Sequence, residues 1–127
     1  MTGLELLEAY PKAAVAIKEF YYGKMVDSLS EDSDIPQDFK DMVKAQQFDS
    51  EYIATFIDNN PRFLFDIFDS NAVYIEILVD YSKNDAEFTY GVIDDDEMNT
   101  ESTIYNSRVE AEKVAVEKAF QLLNDKL

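Results

Sequence analysis

The chain has 127 residues, 46% hydrophobic and 30% charged, and its 11 basic against 27 acidic residues leave a formal charge of −16. That length suits one domain that buries roughly two-thirds of its unfolded surface, and the apolar content is too high for intrinsic disorder. The charge repels nucleic acid and anionic membrane surfaces, and the absence of cysteine and histidine excludes disulfides, thiolate nucleophiles, the usual zinc sites and imidazole proton transfer.

Thr2-Gly3-Leu4-Glu5 has the form of a capping box, so a short helix is expected from there to about Tyr10, ahead of Pro11. A second helix is expected from Pro11 or Lys12 to about Leu29, with Ala13, Ala14, Ile17, Phe20, Tyr21, Met25 and Leu29 as its core face. Of the consecutive aromatics Phe20, Tyr21 and Tyr22, two can face inward, and the third is expected on a partner surface. Gly23 within this pattern marks either close packing or a bend.

Ser30 to Asp34 reads as an acidic loop and Pro36 to about Gln46 as a helix. Asp49 can cap a further helix that carries Tyr52, Ile53, Phe56 and Ile57 on one face through Asp58. The aromatic run Pro61 to Phe68 fits helix or strand by period alone; Asn60 as a cap and Pro61 in the first turn favour helix.

From Val73 the period changes to two, with Val73, Ile75, Ile77, Val79 and Tyr81 alternating with Tyr74, Glu76, Leu78 and Asp80. A second alternating run around Phe88, Tyr90 and Val92 follows a short polar connection and is expected to pair with the first as an antiparallel hairpin. An exposed polar excursion at Asp94 to Glu97 and Asn99 to Glu101 should precede a short third strand around Ser102 to Tyr105. Ser107-Arg108-Val109-Glu110 forms a second capping-box pattern, and Ala111, Val114, Ala115, Ala119, Leu122 and Leu123 give the following helix an apolar face that should cover the sheet. The expected fold is therefore α+β: an N-terminal helical layer, a three-stranded antiparallel meander over Val73 to Tyr105, and a C-terminal helix packed on the sheet, in one domain of residues 1–127.

The glycines, Gly3, Gly23 and Gly91, form no phosphate-binding loop. Asp80 to Asp85 places oxygen ligands at alternate positions, yet Asp85 stands where a calcium loop needs glycine and Gly91 where it needs glutamate. Asp94 to Glu97 could hold a cation weakly, although a solvated charged loop is the simpler reading. No catalytic residue, metal ligand or cofactor is assigned. The N-terminus has no basic leader region and no apolar run approaches the ~20 residues of a membrane span, so a cytoplasmic protein is expected.

Charge distribution is the feature that points toward function. One acidic cluster comprises Glu31, Asp32, Asp34, Asp38 and Asp41, and a second Asp94, Asp95, Asp96, Glu97 and Glu101, while the lysines are scattered singly. These are the candidate interaction patches, and the expected partner is another protein with a basic surface, with no direct nucleic-acid or membrane contact and an oligomeric state that composition leaves open. Three functions compete: a non-catalytic interaction protein, an acidic DNA mimic that inhibits a basic nucleic-acid-binding protein, and a carboxylate-dependent metal hydrolase.

The segment from Phe68-Asp69-Ser70-Asn71 through Tyr105 to Glu112, together with Lys118 to Leu123, resembles short uncharacterised proteins encoded by phages and prophages of Bacteroidetes-type bacteria. The resemblance covers about half the chain and rests largely on the Ser107 to Glu112 element, a helix cap followed by an amphipathic helix. It implies a mobile-element protein directed at host machinery and carries no site residues.

Overall fold

Helix starts and apolar faces account for most of the architecture. In the computed structural model, which describes residues 1–31, 34–81, 85–94, 97–100 and 103–127, the order is α1 (Gly3–Ala9), α2 (Pro11–Glu31), α3 (Gln37–Lys44), α4 (Ser50–Asn59), α5 (Pro61–Ser70), β1 (Val73–Asp80), β2 (Glu87–Asp94), β3 (Glu97–Thr100) and α6 (Arg108–Lys126). The fold is α+β.

The capping box at α1 forms in full: the Thr2 hydroxyl accepts from the Glu5 N–H at 3.2 Å and the Glu5 carboxylate accepts from the Thr2 N–H at 3.1 Å. Other free N–H groups at helix starts are satisfied from distant parts of the chain. Asp58 Oδ1 accepts from the Gly3 N–H at 3.1 Å, and Asn124 Oδ1 accepts from the Lys12 and Ala13 N–H groups at 2.9 and 3.2 Å. These bonds tie the start of α1 to α4 and the start of α2 to the end of α6, so they act as caps and as tertiary fasteners together. Gly3 is required here, because a Cβ would stand 3.0 Å from the Ala54 carbonyl oxygen and 2.8 Å from Asp58 Oδ1. Gly23 faces open space, so close packing does not explain it.

Two expected caps are corrected. Asn60 does not cap α5; its amide instead donates to the Phe56 carbonyl at 2.9 Å and closes the helix before it. Pro61 makes a cap less necessary, since it has no N–H to satisfy. At α6 the Ser107 hydroxyl accepts from the Glu110 N–H at 3.2 Å, and only that half of the box forms. Helix α3 ends at Lys44, before the expected Gln46, which takes a left-handed φ of 53°. Ala72, between α5 and β1, is also left-handed at φ 58°.

Helix α2 buries Ala13, Ala14, Ile17, Tyr21, Tyr22 and Leu29, with Phe20 and Met25 half-buried beside them. α5 is the helix that its Pro61 start favoured, and it buries Leu64, Ile67 and Phe68. α6 contributes Ala111, Ala115, Ala119, Phe120 and Leu123, and it packs on β1, β2 and α2. The small alanines let this helix approach the sheet closely, while Phe120 fills the space against Phe68 and Tyr10 with ring centroids 5.5 and 6.2 Å apart.

The body of the sheet is the antiparallel β1–β2 hairpin, in register from Val73 opposite Asp94 to Asp80 opposite Glu87. The meander is corrected at its third strand. Of the stretch Ser102 to Tyr105 expected to form it, Ser102 lies outside the described residues and residues 103–105 contribute an isolated bridge between Phe88 and Tyr105, while the short segment β3 pairs with β2 instead, with Glu97 opposite Asp94. Thr100 ends this pairing opposite Gly91. The segment read as a polar excursion is thus partly sheet: its backbone groups are satisfied by β2, which local polarity does not reveal.

Candidate interaction surface

The register assigns a face to each side chain of the hairpin. Val73, Ile75, Ile77 and Val79 lie opposite Asp94, Val92, Tyr90 and Phe88, and this face meets α5 and α6. Val73, Tyr90 and Val92 are completely or almost completely buried there. The alternate set, Tyr74, Glu76, Leu78 and Asp80 of β1 opposite Ile93, Gly91, Thr89 and Glu87 of β2, forms the other face. Tyr74 remains 47% exposed and Leu78 41%. They flank Glu76, which is exposed and stands opposite the buried Gly91. Strand order places β1 at the sheet edge, with β2 as its neighbour.

The charge of this region is one-sided. The three strands carry Glu76, Asp80, Glu87, Asp94 and Glu97 and contain neither lysine nor arginine. Glu76, Asp80 and Glu87 fall on the outer face by register. Asp94 lies on the covered side, where Lys126 at the end of α6 donates to its Oδ1 at 3.0 Å.

The candidate patches are distributed as follows. Glu31 closes α2, Asp34 is exposed after it, and Asp38 and Asp41 are exposed on α3. Asp38 lies in the first turn, where it complements the helix dipole, and Asp41 accepts from Gln37 Nε2 at 3.0 Å. In the second cluster Asp94 is ion-paired and Glu97 opens β3 with an exposed side chain. Asp32, Asp95, Asp96 and Glu101 lie outside the described residues. The α3 cluster is carried by an element that packs on α2, whereas β2 packs on α6. Asp94 corrects the expectation of a wholly exposed acidic loop: the Lys126 partner is thirty-two positions along the chain and invisible to local patterning.

Of the three consecutive aromatics, Tyr21 and Tyr22 are the buried pair and Phe20 the half-buried one, and Leu64, Ile67 and Phe68 of the second aromatic run are buried as well. Tyr21 is 1% exposed, within edge-on contact of Tyr22, Phe48, Tyr52, Phe56 and Phe63 at centroid distances of 5.0 to 6.5 Å. The Tyr22 hydroxyl donates to the Phe48 carbonyl at 3.1 Å and accepts from the Phe48 N–H at 3.0 Å. Phe20, the outermost of the three, packs on Phe63 at 5.5 Å with the Lys24 ammonium 5.3 Å from its ring centre. The Tyr21 hydroxyl makes no well-formed hydrogen bond among the described residues. Burial first, and then the nearby Tyr52 hydroxyl, hold its pKa above the ordinary tyrosine value.

The alternation from Val73 to Tyr81 contains Tyr74 and Leu78 without singling them out from Glu76 and Asp80. The signal was present, because two of the four off-phase residues are large and apolar. Among the described residues no group of three or more acidic side chains converges as a metal cluster, and no helix is long and apolar enough to cross a membrane. No protein-family model, curated protein or solved structure matches the chain.

Proposed function

We propose that the chain is a non-catalytic protein-binding module that uses the uncovered face and free edge of β1 to take an extended segment in which basic and apolar residues alternate. The supporting observation is the β1 outer row itself, Tyr74, Glu76, Leu78 and Asp80, in which exposed apolar and acidic side chains alternate at the period of an added strand. Main-chain pairing at the edge would supply affinity, while alternate side chains would set Lys or Arg against Glu76 and Asp80 and apolar groups against Tyr74 and Leu78. The same carboxylates discourage two copies from pairing edge to edge, since like charges directly opposite are unfavourable. A partner in host machinery fits the phage-like resemblance of the C-terminal half.

The test is an NMR titration with a synthetic peptide of alternating lysine and leucine, with oligolysine as control. The expected result is saturable shifts confined to β1 and β2, weaker for oligolysine and lost in Tyr74→Ser/Leu78→Ser. Shifts centred on α3, removed by Asp38→Asn/Asp41→Asn and indifferent to the double serine change, would support the acidic DNA-mimic reading in its place.

A further inference from the structure

The chain has two arginines, Arg62 and Arg108, and both line one groove on the covered side of the sheet, away from Tyr74 and Leu78. The groove has a volume of about 270 Å³; Arg62 belongs to α5 and Arg108 to α6, and Ile75 and Ile77 of β1 lie between the helices as its floor. Finding both arginines of a −16 chain in one place without ion pairs is unusual, given the number of carboxylates they could meet. Among the described residues, ion pairs join Met1 to Glu117 and Lys126 to Asp94, and neither arginine takes part in one. Asp69 and Glu112 share the rim, yet the Arg108 guanidinium is held over the Phe88 ring, 5.6 Å from its centre.

Phe65 and Glu112 also line a second cavity of about 350 Å³, so the two spaces adjoin along α5 and α6. This second space is mainly apolar, bounded by Leu6, Ile57, Leu64, Val109 and Val116 among others. It reaches the size at which small-molecule sites begin. The sequence places these groups by helical spacing: Arg108, Val109, Glu112 and Val116 share one face of α6, and Arg62, Phe65 and Asp69 one face of α5. Phe65 and Glu112 are common to both spaces, so the apolar trough adjoins a groove in which two guanidinium groups stand beside the Asp69 and Glu112 carboxylates.

We infer that this groove binds a small amphiphilic carboxylate, its apolar body in the trough and its head between Arg62 and Arg108. The two guanidinium forks select the head, each matching a carboxylate in two parallel hydrogen bonds, while Asp69 and Glu112 leave the groove itself without net charge. The apolar lining selects the tail, which a simple inorganic anion lacks. This ligand is independent of the strand-edge partner, since it uses the opposite side of the sheet.

Calorimetry of the full chain with octanoate, octanol and acetate separates the contributions. Saturable octanoate binding is expected, with octanol and acetate each weaker by roughly tenfold or more. Arg62→Gln and Arg108→Gln should each reduce octanoate binding toward the octanol level and leave octanol itself unchanged, which distinguishes loss of the head contact from a disturbed trough. Arg62 is exposed and forms no ion pair among the described residues, so Arg62→Gln keeps the test valid even if Arg108→Gln loosens its packing on Phe88. Equal binding of octanol and octanoate, no binding of octanoate, or indifference to both substitutions would overturn the assignment.

Discussion

The aromatic cluster around Tyr21 and the outer face of the β1–β2 hairpin both carry large apolar side chains, but only one is sealed. Five rings from α2, α4, α5 and the segment before α4 close over Tyr21, whereas Tyr74 and Leu78 stay exposed. Aromatic density alone therefore does not mark a surface for binding. What marks it is the element that would cover the side chain, together with the charges left beside it.

The comparison breaks first in stability. Phe120→Ala removes a fully buried ring that touches Phe68 and Tyr10, and should cost about 3–5 kcal/mol in urea unfolding, the range for large-to-small core changes. Asn124→Ala strands the Lys12 and Ala13 N–H groups at the start of α2, and a loss of about 1–2 kcal/mol is expected by the same measurement. Ala72→Gly relieves a left-handed alanine and should raise stability by about 0.5–1 kcal/mol.

Tyr21→Phe sharpens the contrast through pH. The folded pKa of Tyr21 is raised, so its ionisation favours the unfolded chain: the stability it protects is present below the unfolded value near 10 and is lost as pH rises through the folded one. The phenylalanine variant should match or slightly exceed the parent at neutral pH, because an unsatisfied hydroxyl is gone. Above about pH 10 it should lose less stability than the parent in parallel urea titrations. The smallest effect belongs to the open face: Tyr74→Ser/Leu78→Ser should change the urea midpoint by no more than about 0.5 kcal/mol equivalent, as expected for exposed positions.

Much of this fold is legible from local rules. Thr2 with Glu5, Pro11, Asp49, Pro61 and Ser107 mark helix starts, and the change of period at Val73 marks the hairpin, because each is decided by residues within a few positions. The illegible parts depend on contacts across the chain. Asn60 turns back to Phe56, where a cap on α5 was the local reading, and β3 is polar yet pairs because β2 presents a free edge to it. Of the candidate site, the acidic clusters were legible as composition, but the neutralisation of Asp94 by Lys126 was not. The Tyr74 and Leu78 face was written in the strand alternation, and only the side on which α5 and α6 pack gives it meaning.

Amide hydrogen exchange of β1 with and without the alternating lysine–leucine peptide tests the central claim most directly. The proposed strand addition requires slowed exchange in β1, reversed by added salt and absent in Tyr74→Ser/Leu78→Ser. Unchanged exchange in β1 at saturating peptide, or protection that appears instead on α3, would contradict it.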